Sequence, residues 1–227
     1  YQAGEYAQVV RSRFLEQFEG AETLAIPDGY RFRANNEVVP PNLMQRLVGY
    51  RLRTEKRLGN WSGTGAGKTM AAILASRVVD ARLTVIVGLN NTLDGWKREI
   101  LNTFPGSAVI IKERGPITVD RDNPTYLVLN FEAFQQPDSS SMVQNLADNH
   151  RIDMIVLDEV HSVKQRDAVA SRRRQVLGGL LTLASERNPD LRVLGMSATP
   201  VVNNLTEAVS LLEMVRGVRY PELNTRP

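Results

Sequence analysis

The sequence predicts an α/β fold, with a parallel β-sheet sandwiched between helices. Short β-branched runs alternate with helix-like stretches over most of the chain. One run, residues 152–157, is apolar almost throughout, as a strand covered on both faces must be. Residues 62–69 read S-G-T-G-A-G-K-T and pass directly into the helix-forming run Met70-Ala71-Ala72-Ile73-Leu74-Ala75.

The elements follow in order. Val9, Val10, Phe14, Leu15 and Phe18 recur at helical spacing, so residues 1–20 predict an amphipathic helix packed on a neighbour. Pro27-Asp28-Gly29 and Pro40-Pro41 predict turns around a short strand near 30–33. A helix is expected over 42–56, with Leu43, Leu47 and Tyr50 on one face, then a strand over 58–61 that delivers the glycine-rich loop. Beyond the helix after that loop, strands are expected at 83–87, 107–111, 126–129, 152–157 and 191–196. Helices are expected at 91–102, 139–149, 167–186 and 203–215. A sheet of this kind binds ligands at the carboxyl ends of its strands, and every polar motif below sits at such an end.

Composition sets the bounds. The 227 residues suffice for one large or two small domains, and 42% hydrophobic with 23% charged residues is ordinary for a soluble globular chain. The net charge of +3 and pI near 9.3 lean basic without requiring a polyanionic partner. The absence of cysteine excludes disulfides and thiolate metal sites and fits a reducing compartment. No apolar run approaches the roughly 18 residues of a membrane span, and the polar start is no signal peptide. A chain that begins at Tyr1 and stops at Pro227 reads as a piece of something longer.

Three sets of residues carry chemistry. Gly67-Lys68-Thr69 ends a phosphate-binding loop of the form G-x-x-x-x-G-K-[ST], with Ser62 where the first glycine would stand. Gly63, Gly65 and Gly67 are expected at positive φ, turning the N–H groups of 63–69, Thr64 and Ala66 included, toward phosphate oxygens. Lys68 would reach the β- and γ-phosphates of ATP, and the Thr69 hydroxyl would complete a magnesium shell. The following helix adds its N-terminal dipole. Second, strand 152–157 ends in Asp158-Glu159-Val160-His161. Two acids at a buried strand end need a cation: Asp158 is the candidate Mg2+ ligand, and Glu159 the candidate base for water attacking the γ-phosphate. Third, Ser197-Ala198-Thr199-Pro200 closes the next strand, and His161 is placed to link its hydroxyls to the acids.

In that order, G-T-G-A-G-K-T, D-E-V-H and S-A-T-P resemble motifs I, II and III of superfamily 2 helicases. Trp96-Lys97-Arg98-Glu99-Ile100, His161-Ser162-Val163-Lys164-Gln165 and Thr199-Pro200-Val201-Val202-Asn203-Asn204 resemble segments of Swi/Snf-type DNA translocases, and Asn42-Leu43-Met44-Gln45 is similar to their upstream L-x-x-Q element. The likeness covers about residues 41–215. It implies the N-terminal RecA-like lobe of an ATP-driven motor on double-stranded DNA. By the same resemblance, Gln45 contacts adenine, Ser197 and Thr199 join His161 in coupling hydrolysis to movement, and the DNA-contacting motifs map to Asn91-Thr92 and Asn130-Phe131. The sequence departs from the family at Gly88, where a proline is usual, at Val160 in place of alanine, and in S-A-T where remodelers carry T-G-T.

The organisation that follows is an N-terminal extension over 1–40 and the RecA-like lobe over 41–227. The second lobe, with its arginine fingers, lies outside this chain, so the chain alone is expected to bind nucleotide and hydrolyse it weakly. Its expected location is cytoplasmic and nucleoid-associated in a microbe, or nuclear in a eukaryote. Arg51, Arg53, Lys56 and Arg57, and Arg172-Arg173-Arg174, read as solvated helix faces more readily than as a DNA surface, because Glu55, Asp167 and Glu186 dilute them. The competing function is a nucleotide-gated interaction module of a larger restriction or defence assembly. A phosphate-loop kinase or GTPase leaves the D-E-V-H and S-A-T boxes unexplained.

Overall fold

The computed structural model describes residues 4–34, 36–163, 171–200 and 205–223. Helix α1 (Glu5–Glu22) and a two-residue hairpin, β1 (Arg33–Ala34) with β2 (Glu37–Val38), precede the main body. There α2 (Leu43–Glu55), β3 (Arg57–Asn60), α3 (Lys68–Val78), β4 (Leu83–Gly88), α4 (Leu93–Thr103), β5 (Ala108–Ile111) and β6 (Thr125–Asn130) follow in turn. The chain continues through α5 (Ser139–Asn149), β7 (Met154–Leu157), α6 (Arg172–Arg187), β8 (Arg192–Met196) and α7 (Leu205–Arg216).

Strands β3 to β8 form a six-stranded sheet in the order β3-β8-β7-β4-β6-β5, and every pairing is parallel. Side chains alternate between its faces as the strand period requires. Val85, Val87, Ile155, Leu157 and Val193 point into the core under α5, α6 and α7. Ile86, Val128, Val156, Leu194 and Met196 point into the core under α2, α3 and α4. Helices therefore cover both faces, and the central strands β4 and β7 are buried along their whole length.

Register places the chemistry. Asn60 pairs with Met196, Gly195 with Leu157, Leu157 with Val87, and Gly88 with Asn130. Five strands thus end nearly level, and the residue after each end emerges on one rim of the sheet.

Two helices differ from the sequence reading. Leu43, Leu47 and Tyr50 do share a face of α2, but the face turned to the core carries Gln45, Val48, Gly49 and Leu52. The other face meets α1, where the Tyr50 ring lies across Gly20. Of helix α1 only Ala21, near its C-terminal end, is buried, while Tyr6, Val9, Val10, Phe14 and Leu15 are all exposed. Helix α6 begins at Arg172, and the expected start at 167 lies outside the described residues, as do Lys164-Gln165 and Val201-Val202-Asn203-Asn204.

Candidate active site

The glycine-rich loop joins the end of β3 to the start of α3. Gly65 (φ 77°) and Gly67 (φ 83°) take the left-handed conformation that a side chain resists. Gly63 is not among the positive-φ glycines, so the expected trio is a pair. A Cβ at Gly67 would also collide with Gln45 Nε2. The loop curls around its own lysine: Lys68 Nζ donates to the carbonyls of Ser62 (3.0 Å) and Gly63 (2.9 Å). Lys68 is the first residue of α3, so the N–H groups of the loop and of the first helical turn converge on one small volume. Thr64 is exposed, and Ala66 and Thr69 are half-buried.

Gln45 belongs to this loop through α2. Asn42 caps that helix by accepting from Gln45 N (2.9 Å), and Gln45 Oε1 accepts from Asn42 N (2.9 Å) in return. The buried Gln45 amide then donates from Nε2 to Gly67 O at 3.3 Å.

The acid pair follows β7. Asp158 is 8% exposed, and its backbone N–H continues the ladder by donating to Val87 O at 2.8 Å. Burial pushes its carboxyl above the usual carboxylate range, and the neighbouring Glu159 charge adds to this. The Trp96 indole N–H, which donates to Asp158 Oδ2 at 3.0 Å, opposes the rise, as does the Lys68 ammonium. Loop lysine and strand-end acid therefore lie within each other's field. Glu159 sits at φ 49°, a conformation rare for a residue with a side chain and one that collects at functional sites. That turn aims its carboxylate at His161, whose Nδ1 is 3.2 Å from Glu159 Oε2 and 2.9 Å from Ser197 Oγ. Ser197 is fully buried, accepts from Thr199 N (3.1 Å), and donates its own N–H to Asn60 O (3.3 Å). The structure thus brings Glu159, His161 and Ser197 into one chain of contacts. Thr199 enters through its backbone, its side chain being exposed.

The residues mapped as DNA contacts fare unevenly. Asn91 is exposed and Thr92 half-buried, at the turn between β4 and α4. Asn130 Nδ2 donates to Asn90 Oδ1 (3.2 Å), joining that turn to the end of β6. Phe131 is 0% exposed, with the Arg173 guanidinium over its ring, so its side chain is core and only its backbone can face a ligand.

Two residues were missed as site members. Asn60, buried at the end of β3, accepts from Ser62 N through Oδ1 (3.2 Å) and from Ser197 N through its carbonyl, joining the loop to the third motif. An asparagine ending a short buried strand was the available signal. Trp96 stands in sequence only as part of a family segment, and its bond to Asp158 spans 62 residues.

A phosphate-rich nucleotide with a divalent cation fits this donor set. A carboxyl desolvated at a strand end, a threonine hydroxyl at a helix N-terminus and left-handed glycines supply hard oxygens and anion-facing N–H groups. Among the described residues no group of three or more His, Asp or Glu forms a ready-made metal cage, so a cation here would complete its shell with phosphate oxygens and water, as magnesium does. Among the described residues, no helix is long and apolar enough to cross a membrane.

Comparison with solved structures gives the same architecture. The Sulfolobus solfataricus SWI2/SNF2 ATPase core in complex with dsDNA superposes with a TM-score of 0.59 at 14% identity, over 85% of this chain and 38% of that one. The UvsW helicase from bacteriophage T4 superposes with a TM-score of 0.54 at 16% identity, over 91% of this chain and 65% of that one. The chain therefore spans less than two thirds of either relative. No curated protein sequence matches it. The model of the type III restriction enzyme res subunit family matches residues 6–202, across all three motifs. With that match and this fold, the chain belongs to the type III restriction enzyme res subunit family and is a RecA-like lobe of the superfamily 2 helicase type.

Proposed function

We propose that this chain is the ATP-binding lobe of an ATP-dependent, Swi/Snf-like translocase that moves on double-stranded DNA once a second RecA-like lobe completes it. The supporting observation is the convergence, on one rim of the sheet, of the Lys68 loop, the Asp158-Glu159 pair and the His161–Ser197 contact. The lobe is taken to run over 41–227, with 1–40 as its N-terminal extension.

In this reading the loop N–H groups and Lys68 bind the β- and γ-phosphates of ATP, and Thr69 and Asp158 hold Mg2+. Bound magnesium would neutralise charge building on the phosphates. Glu159 orients the attacking water and takes up its proton, and His161 with Ser197 fixes the direction of the Glu159 carboxylate. Gln45 presents the free hydrogen of its amide to adenine from beside Gly67. Double-stranded DNA lies along the turn carrying Asn91 and Thr92, next to Asn130 and the backbone of Phe131. That the Sulfolobus solfataricus relative is a complex with dsDNA supports duplex DNA as the partner.

DNA-stimulated ATP turnover tests the proposal, measured on the protein joined to its second lobe, with Glu159→Gln as control. The expected result is turnover that rises on addition of duplex DNA and falls about 10²-fold or more in the variant, which still binds ATP. Turnover indifferent to DNA, or unchanged in Glu159→Gln, overturns it.

A further inference from the structure

Helix α4 hangs from the turn after β4 and turns one amphipathic face, Leu93, Trp96, Ile100 and Thr103, toward the sheet. Three of these fill the core as such a stripe ordinarily does. Trp96 does more. Its ring is 2% exposed, and its only polar atom is aimed at the strand-end acid, with Nε1 3.0 Å from Asp158 Oδ2. An indole N–H donates and never accepts, so it can hold a carboxylate oxygen but offers nothing to a cation. The end of β4 crowds the same oxygen: a Cβ at Gly88 would stand 3.7 Å from Asp158 Oδ2, 3.5 Å from Asp158 Cβ and 3.1 Å from Thr92 Oγ1. The carboxyl is thus fixed at one oxygen by Trp96 and crowded from the β4 side. The Glu159 backbone N–H also donates to this carboxyl, and Oδ1 is the oxygen that the indole leaves to other partners.

We infer that Trp96 is a positioning residue for the metal-binding carboxylate: by occupying Asp158 Oδ2 it commits Oδ1 to Mg2+, and through α4 it ties that geometry to the turn carrying Asn91 and Thr92. This rests on the nucleotide reading of the site. Outer partners of metal ligands commonly set ligand orientation and affinity in this way. Bonds from a neutral donor to a charged acceptor are worth about tenfold or more in binding.

Two measurements test it. In a Trp61→Phe background Trp96 is the sole tryptophan, since the chain has two. Its emission maximum should shift when Asp158 is changed to Asn, because the bond then ends on a neutral amide. An unchanged spectrum overturns the inference whatever the site binds. The second compares ATP affinity in Mg2+ and in EDTA for the wild type and Trp96→Phe, which keeps a ring and loses the N–H. The expected result is a loss of about tenfold in Mg2+, no loss in EDTA, and no further loss when Asp158→Asn is already present. Equal losses in both buffers make Trp96 a packing residue and overturn the inference. A wild type that binds ATP in neither buffer overturns the nucleotide reading and the positioning role with it. The spectral shift then still reports the contact, so the two failures are told apart.

Discussion

At the scale of single residues, the site holds groups that folding alone disfavours. Asp158 is buried with its carboxyl pushed upward, so the folded chain binds that proton more tightly than the unfolded chain does. Stability must then fall as pH rises from the ordinary aspartate range through the raised folded value. Without a cation, Asp158→Asn should raise the melting temperature at pH 7.5 and change it less at pH 4, while abolishing the stabilisation that Mg-ATP confers. A lower melting temperature at pH 7.5, read by calorimetry, would contradict the desolvation account. Gly67→Ala meets both a left-handed φ and the Gln45 amide, so it should cost about 1–3 kcal/mol in denaturant unfolding and remove nucleotide binding. Loop and acid pair were legible in the sequence because each lies within a few consecutive residues whose types have few other uses. The Trp96 bond was not, since a tryptophan in an apolar stripe reads as core and its donor finds its partner only across the fold. At Phe131 the ring is core, which a motif position alone does not reveal.

At the scale of elements, periodicity located the helices and strands well but not always the buried face. In α2 the leucines and Tyr50 suggested one face, yet the core takes Gln45 and Gly49: the Gln45 amide bonds Gly67 of the glycine-rich loop, and close packing on α3 needs the small residue. Glu55, at the end of α2, joins three helices. It accepts from Arg51 Nε (2.7 Å) and from Arg216 of α7 (3.3 Å), and lies 3.9 Å from Arg13 of α1. Burial alone would lift its carboxyl, but the Arg51 and Arg216 guanidinium groups hold it below the usual range. This contribution is present above the unfolded glutamate value and fades as pH falls toward the lowered folded one. Glu55→Gln should cost about 1 kcal/mol near pH 7 and less near pH 3, measured by urea unfolding.

The arginine run of α6 is likewise tied into the fold. Arg173 donates to Ser162 O (3.3 Å), and Arg174 to Val163 O (3.2 Å) and Ser210 O (3.1 Å), clamping α6 to the segment after the acid pair and to α7. Arg174→Ala should destabilise by about 1–3 kcal/mol while leaving the salt dependence of DNA binding unchanged. A weaker salt slope with unaltered stability would make it a DNA contact.

At the scale of the whole molecule, one arrangement explains why motifs scattered from residue 45 to residue 199 lie together. The parallel register levels the ends of β3, β8, β7, β4 and β6, so loop, hydroxyls, acids and the two asparagine-bearing turns come out side by side. Strand-helix alternation made the sheet legible in the sequence. The strand order, which sets β8 between β3 and β7 and so brings Ser197 to His161, was not, because it depends on pairings between distant segments. The central claim is that this rim is a Mg-ATP site, and ligand-induced stabilisation reads it directly. Melting of the wild type and of Lys68→Ala should be followed with and without Mg-ATP at about a hundredfold excess over its Kd. The account predicts about 2.7 kcal/mol of added stability, a rise of roughly 5–10 °C, in the wild type and none in the variant. Equal shifts in both proteins, or none in the wild type, would contradict it.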